Sequence, residues 1–509
     1  MSAAPSAPSL RPAPRRPIPL AELSEHLQIR WRNESADAAV TGVTLRAHEV
    51  RPGDLFAAVP GSKVHGADFA GEALAAGAAA VLTDPAGLTR PDLATAPVPV
   101  LVHPEPRAVL GSVAAEVYGR PSQRLRVLGV TGTSGKTTVS HLIESGLRAA
   151  GRSTGLIGTV LTRIGEHQLP SSFTTPEAPD LQAMFAVMAD KGVTDVGMEV
   201  SSHALAYRRV DGTEFAVAAF TNLSQDHLDF HRDMDDYFAA KARLFDGRAR
   251  VEVVCVDDTW GPRLVGADTV TVSATGAPAA GWHAEDIVIE PDGHQRFVAV
   301  DPAGGRTAVR LRLPGLFNVA NVLVALASLQ AVDVGPEVAA PGFGALTVPG
   351  RVEPVDVGQP FRAFVDYAHK PAAVAALLDA LRSELTGGRL IVVLGCGGER
   401  DASKRPVMGA AAATRAELLV VTDDNPRGED PAEIRAAMLA GAQAAPGHGD
   451  IVEVGDRRAA IASAVERAKP GDVVVVAGKG HETGQEVAGV RHPFSDVDEL
   501  AAAIRRAAS

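Results

Sequence analysis

The residues with the clearest chemistry lie in Arg126–Leu142, RVLGVTGTSGKTTVSHL. A short apolar run (Val127, Leu128, Val130) reads as a buried strand, and it breaks at Gly132–Gly135. Lys136, Thr137 and Thr138 then open a segment with helical spacing. Glycines let backbone N–H groups close around phosphate oxygens, and the new helix aims its positive end at them. Lys136 adds a point charge, and a hydroxyl such as that of Thr137 suits Mg²⁺. The spacing departs from the usual phosphate-loop pattern, whose first glycine would fall on Val130; the nearest one is Gly129. A bare glycine turn between strand and helix is the plain alternative. The strand–GTSGKTT–helix context, with Gly132, Thr133, Ser134 and Gly135 as the cradle, favours a nucleoside triphosphate.

Three more features suit phosphoryl transfer. Glu199 ends a strand-like run and is followed by Ser201, Ser202 and His203, so its carboxylate is placed to meet Mg²⁺. His227, in NLSQDHLDFH, follows another strand and offers a second metal contact, or else a structural histidine. Lys241, in DDYFAAKARLF, is either an exposed helix lysine or a partly desolvated amine. A desolvated amine loses its proton more easily and is able to take up CO₂, becoming an anionic carbamate. Further on, DDNPRGEDP follows a strand: Arg427 offers a rigid fork to a carboxylate, while Asp424 and Asn425 suit an ammonium group. Together they fit a zwitterionic, amino-acid-like ligand, and an Asx/Pro turn capping the next helix is the alternative. Arg400 (GCGGERD) and Gly478–Glu482 (GKGHE) stand at two other strand ends and are expected on the same side.

The elements that position these groups are those of an α/β protein. The chain has 509 residues, enough for roughly three domains of about 150 residues. Its net charge of −12 is spread along the chain, so no nucleic-acid footprint appears. Arginine supplies most of the 49 basic residues, which makes each lysine worth inspecting. Cys255 and Cys396 flank apolar runs; two cysteines exclude a disulfide scaffold and fit a reducing, cytoplasmic setting. No apolar stretch approaches the roughly 18 uncharged residues that a membrane span needs. Arg15–Arg16 suggests a twin-arginine export signal, but Pro17 and Pro19 follow where an apolar region should be, so 1–19 reads as a disordered tail.

From 20 to 124 short strands alternate with turns: strand Leu55–Val59, loop Gly61–Gly66, helix Phe69–Ala76 and strand Ala80–Thr83 form a small α/β domain. From 125 to 349 strand and helix repeat, favouring a mainly parallel sheet. Within it, 281–313 reads as shorter antiparallel strands, and a helix begins near Asn318. Pro349–Gly350 reads as a hinge into a last domain, 350–509, with strands RAFVDYAH, RLIVVLGCGG, AELLVVTDDN and DVVVVAGKGH. In such a sheet, ligands bind beyond the carboxyl ends of the strands. No GxGxxG opens this unit, which argues against a dinucleotide.

Taken in order, GTSGKTT, TTPE, EVSSHAL, NLSQDHLD, AAKARLF, LPGLFNVAN, PGRVE, DYAHKP, GCGGERDASKRP, DNPR and GKGHE resemble the Mur ligase family, and within it the members that add 2,6-diaminopimelate. The resemblance covers nearly the whole chain after the tail. It implies a UDP-substrate-binding domain, a central P-loop ATPase and a C-terminal Rossmann-like domain. It implies ATP-dependent amide formation through an acyl phosphate, in cytoplasmic peptidoglycan precursor synthesis, by a monomer.

By the same resemblance ATP meets Gly132–Thr138, Asn321, Arg351 and Asp366, with His369 shaping the site. The muramoyl-peptide meets Leu45, Ala47, Thr174, Thr175, Ser201, Tyr207 and Arg209. Lys136, Glu199, His227 and a carbamylated Lys241 are implied in catalysis. Thr137, Glu199, His227 and Lys241 are implied near two Mg²⁺ ions. Diaminopimelate is implied to meet Arg400, Asp424, Asn425, Pro426, Arg427, Gly478 and Glu482. The chain departs from the family pattern at Arg46–Ala47–His48, where a hydroxyl contact to uridine is lost at Ala47, and at Phe173 and Tyr207. The neighbouring readings are a lysine-adding relative, which Arg427 disfavours, and folylpolyglutamate synthase, which the N-terminal domain disfavours. A P-loop small-molecule kinase or a non-catalytic nucleotide switch would not need an amino-acid clamp.

Overall fold

Valine- and leucine-rich runs become strands and the alanine-rich stretches between them become helices, in line with their propensities. The structure is a computed structural model that describes all residues except 1–9, 14–15, 34–36, 62, 172, 278–279, 291–293, 386 and 508–509. It divides into two compact units between which the chain passes more than once. The first holds Met1–Thr131, Gly151–Ala218 and Ala240–Glu252; the second holds Gly132–Ala150, Ala219–Ala239 and Val253–Ser509.

In the first unit, a five-stranded sheet runs in the order Arg30–Arg32, Val100–Val102, Ala80–Thr83, Asp54–Ala58, Gly42–Thr44. All are parallel except the edge strand Arg30–Arg32. Leu55, Ala57, Leu82 and Leu101 pack against Leu110 and Val113 of the helix Pro106–Val117. A second set of strands places Thr154–Ile157, Asp195–Glu199 and Arg126–Thr131 side by side and parallel, with Glu199 in register with Val130. Parallel pairing therefore puts the Glu199 carboxylate at the same end as the strand that leads into the glycine loop.

In the second unit, Trp282–Ile289, Gln295–Val300 and Arg306–Leu311 form the antiparallel meander expected from the alternation over 281–313. A six-stranded sheet runs Glu353–Pro354, Arg362–Asp366, Val473–Ala477, Leu390–Cys396, Leu418–Asp423, Asp450–Glu453. Five of these strands are parallel, and only Glu353–Pro354 is antiparallel. Helices cover both faces, so Val473 and Val475 enter one core while Val474 and Val476 enter the other. This double burial explains why such strands read as unbroken apolar runs. Loops carrying Tyr367–His369, Gly397–Arg400, Asp424–Arg427 and Gly478–Glu482 leave the carboxyl ends of adjacent strands, as the open-sheet rule requires.

The N-terminal expectation needs correction. Residues 1–9, 14 and 15 of the expected disordered tail, including Arg15 of the Arg15–Arg16 pair, lie outside the described residues. Its described part is structured: Ile18–Pro19 pairs with Ala39–Val40 as a short strand, and Arg11 donates to Asp54 at 2.7 Å. Asp54 is buried, and a buried carboxylate needs a cation, which the arginine supplies. Among the described residues no helix is long and apolar enough to cross a membrane.

The last helix, Asp496–Ala507, is fastened by a fully buried ion pair. Arg457 Nε and Nη2 each donate to Asp496 at 2.7 Å, and Nη2 also reaches the Ala477 carbonyl at 2.9 Å. Removing one partner leaves an uncompensated buried charge. Asp496→Ala is therefore expected to destabilise the protein by about 3–5 kcal/mol, read as a lowered denaturant midpoint by circular dichroism.

Candidate active site

The strand Arg126–Thr131 enters the glycine loop, and the helix Lys136–Ala149 leaves it. Gly132 and Gly135 have φ of 148° and 87°, and a Cβ on them would overlap Thr221 Oγ1 and Asn321 Oδ1. The helix carries no side-chain cap bond at Gly135, and a helix start of this kind suits an anion. Lys136 Nζ folds over the loop and donates to the Gly132 and Thr133 carbonyls at 2.8 and 3.1 Å. Asn222 was not anticipated: its Oδ1 accepts from Ser134 N at 3.0 Å, and its carbonyl accepts from Thr133 N at 2.8 Å. It follows a strand within TNLSQDH, the position that could have flagged it.

Several expected nucleotide residues gather here. Arg351 donates to Thr137 Oγ1 at 3.2 Å and lies over the Tyr367 ring. Asn321 stands beside Gly135 and donates to Asn318 Oδ1 at 3.0 Å. Asp366, expected at the nucleotide site, is engaged by the backbone. Its two oxygens accept backbone N–H groups from Val352 and Ala368, each at 2.7 Å, so it pins the linker after Pro349–Gly350. Burial raises its carboxyl above the ordinary range against the pull of Arg351 and those N–H groups. Burial, with Lys370 and Lys404 adding like charge, holds the His369 imidazole down to about 3, so it stays neutral at physiological pH.

In the first unit, Glu199 accepts from Thr159 N and Oγ1 at 2.8 and 3.0 Å. The Thr159 hydroxyl also meets Thr174 Oγ1 at 2.9 Å. Thr175 Oγ1 bonds the Glu199 carbonyl and accepts from Ser201 N, and Ser201 caps the helix Ser202–Ala206. Arg209 reaches the Thr175 carbonyl at 3.2 Å and Glu177 at 2.9 Å, with Phe173 and Tyr207 on its faces. Five expected peptide-binding residues (Thr174, Thr175, Ser201, Tyr207, Arg209) thus form one cluster with Glu199. Ala47 and Leu45 do not bring polar groups of their own: Ala47 is buried among Phe56 and Ala58, and Leu45 packs on the neighbouring core. Between them, Arg46 pairs with Asp180 at 2.8 and 3.0 Å. Lys241 is 1% exposed, which removes the reading of a solvent-exposed helix lysine.

At the ends of the last sheet, Arg427 donates to the Gly398 carbonyl at 2.6 Å and faces Glu486 at 3.5 Å. Its left-handed φ of 53° is held by backbone bonds to Glu486 and Ala488. Pro426 sets the preceding turn, its carbonyl accepting from Glu429 N. Arg400 extends from the neighbouring loop, 3.7 Å from Asp229, along a cavity of about 300 Å³ shared with Gln225, Leu228 and Ser403.

Asp424 and Asn425, expected to receive a ligand's ammonium, also hold one of the protein's own: the fully buried Lys479 lies 3.3 Å from Asp424 and donates to Asn425 Oδ1 at 2.8 Å. Burial would raise the Asp424 carboxyl, but Lys479 and Arg457 outweigh it and hold it below its ordinary value. Gly478 leaves room for Asp424, and Glu482, raised by burial, accepts from Asn425 at 2.9 Å. Lys479 lies inside GKGHE, and its lone positive charge in an apolar strand end was the available signal.

The comparisons agree with this layout. Residues 39–118 match the Mur ligase family catalytic domain, 130–329 the Mur ligase middle domain and 350–480 the Mur ligase glutamate ligase domain. A UDP-N-acetylmuramoyl-L-alanyl-D-glutamate–2,6-diaminopimelate ligase from Streptomyces coelicolor is 52% identical over 507 residues, covering 97% of this chain and 99% of its own. The chain belongs to the Mur ligase family. A ligase of the same description from Corynebacterium glutamicum is 53% identical over 479 residues, covering 92% of each chain. A solved structure of such a ligase matches with TM-score 0.69 at 32% identity, covering 97% of this chain and 100% of that one. The three α/β domains of this Mur ligase are therefore the family's N-terminal, middle and C-terminal domains.

The donor chemistry of this Mur ligase fits Mg²⁺ bound to a nucleotide. Thr137, in the first turn of the helix that leaves the glycine loop, offers a hard oxygen, and among the described residues no group of three His, Cys, Asp or Glu side chains forms a cage of its own. Mg²⁺ commonly takes one or two protein oxygens and completes its shell with phosphates and water. The glycine geometry yields a direct test. Gly135→Ala places a Cβ on Asn321 at a left-handed φ and is expected to weaken ADP binding by roughly 100-fold, equivalent to about 3 kcal/mol. Titration calorimetry on the folded variant reads it.

Proposed function

We propose that this Mur ligase uses ATP to join meso-2,6-diaminopimelate to UDP-N-acetylmuramoyl-L-alanyl-D-glutamate in cytoplasmic peptidoglycan precursor synthesis, acting as a monomer. Arg427 carries the reading. It is a planar fork held in an enforced backbone conformation beside the loop of Arg400, where an amino acid bearing an additional carboxylate gains a contact that lysine lacks. The full-length likeness to diaminopimelate ligases supports the same substrate.

In this reading Lys136 and the first N–H groups of the helix Lys136–Ala149 hold the triphosphate, with Arg351 and Asn321 at its edge. Thr174, Thr175, Ser201 and Arg209 orient the muramoyl-peptide. The side-chain carboxylate of its D-glutamyl residue attacks the γ-phosphorus, the bond to ADP breaks, and an acyl phosphate forms. The diaminopimelate amine then attacks the acyl carbon, phosphate leaves with the C–O electron pair, and the nitrogen loses its proton. Arg400 and Arg427 hold the far carboxylate, while Asp424 and Asn425 shape the pocket through Lys479. Thr137, Glu199, His227 and a carbamylated Lys241 would hold up to two Mg²⁺ ions, which supply neutralisation of phosphate charge.

Phosphate release with the muramoyl-dipeptide is expected with meso-diaminopimelate and not with lysine. Arg427→Ala is expected to lower kcat/KM for diaminopimelate by roughly 100-fold, the loss of a charged hydrogen-bonded pair worth about 3 kcal/mol. Equal use of lysine by the wild type would overturn the substrate. Carboxylate ¹⁸O should appear in released phosphate, and its absence would exclude the acyl phosphate.

A further inference from the structure

Lys370, in DYAHKP, has no part in the scheme above. It immediately precedes the helix Pro371–Ser383 and is only 12% exposed. Its Nζ donates to the Thr133 carbonyl at 3.2 Å, the same oxygen that accepts from Lys136 Nζ at 3.1 Å. Two ammonium groups, one from the loop's own helix and one from 237 residues further along the chain, thus converge on one carbonyl of the phosphate loop.

Like charges this close need an anion. Lys370 meets Asp226, 2.6 Å away, and the same carboxylate oxygen lies 2.9 Å from His227 Nε2. Arg351 on Thr137 and Lys404 on the His369 carbonyl, at 3.2 and 3.0 Å, bring further positive charge to the same neighbourhood. Among these cations Asp226 stands beside Lys370 and the buried Asp366 beside Arg351. A polyanion with several oxygens completes such a set.

We propose that Lys370 is a second phosphoryl-binding cation, supplied from the C-terminal domain to the terminal phosphoryl group of the nucleoside triphosphate, and hence a catalytic residue for its transfer. The proposal rests on the assignment of Gly132–Thr138 as the triphosphate site. The lysine of a phosphate loop reaches the β- and γ-phosphates, and Lys370 shares the carbonyl on which Lys136 rests. Negative charge spreads over the transferring phosphoryl oxygens, so a cation from outside the loop acts where that charge is stabilised. It forms no covalent bond and moves no proton in this role.

The test is calorimetric binding of ADP and of the non-hydrolysable triphosphate AMP-PNP, with Mg²⁺, to the full-length chain. Lys370→Met is expected to weaken AMP-PNP about tenfold while leaving ADP within about twofold. Lys370→Arg is expected to restore most of the preference for the triphosphate. Equal loss for both nucleotides, or no loss for either, overturns the proposal. Partial unfolding lowers both affinities alike, so the ratio separates contact from scaffold. Should the methionine variant not fold, Lys370→Gln is read by the same ratio. Wild-type binding of both nucleotides by Lys136→Met would instead remove the loop assignment itself, and the Lys370 proposal with it.

Discussion

The interaction on which the rest depends is a backbone turn that must stay open to an anion. Gly132 and Gly135 have no room for side chains, and the helix that follows is left without a side-chain cap. Such an uncapped start is tolerable only where polar partners surround it. Asn222, Thr221 and Tyr237 supply them: Asn222 brackets Ser134, the Thr221 hydroxyl donates to the Ser134 carbonyl at 2.6 Å, and Tyr237 meets the Thr133 hydroxyl at 3.1 Å. The loop is thereby fixed through carbonyls, hydroxyls and the Thr133 and Ser134 N–H groups, with no side-chain cap on the helix that follows.

A second theme is buried charge at the carboxyl ends of the last sheet. Asp424 with Lys479 and Asp496 with Arg457 are fully desolvated pairs, and Arg457 also reaches the Asp423 carbonyl. Burying such pairs adds little stability over an apolar core of equal volume. What they add here is placement. Lys479 ties Asn425 to the Gly484 carbonyl, and Asn425 in turn accepts from Glu486 N. That chain of contacts holds the segment through Glu486 against Asn425, and the backbone of Arg427 bonds Glu486 and Ala488 of the same segment.

Local sequence carried the elements and the loop well. Runs such as VVVVA in Val473–Ala477 are legible because burial on both faces demands apolar residues at every position, and GTSGKTT is legible because glycine has few other uses there. Pairings were less legible. Nothing local distinguishes Lys241 as buried from an exposed helix lysine, since the face that a helix presents depends on elements far away in the chain. DNPR marked an amino-acid clamp, yet the ammonium held by Asp424 and Asn425 comes from Lys479, more than fifty residues on. Proline-rich composition likewise gave no sign that Arg11 pairs with the buried Asp54.

Lys241 shows why burial and cofactor chemistry have to be argued together. An ammonium removed from water is disfavoured by several kcal/mol unless charge or hydrogen bonds replace its hydration. Carbamylation exchanges that cation for an anion, which is no better desolvated and is stable only beside a cation. A divalent ion held partly by phosphate meets that need, and it would couple formation of the modified lysine to loading of the nucleotide. Glu199 is already held through both oxygens by Thr159. In the proposed reading it would be a preorganised ligand, and Lys241 a group whose charge state the bound ion would complete.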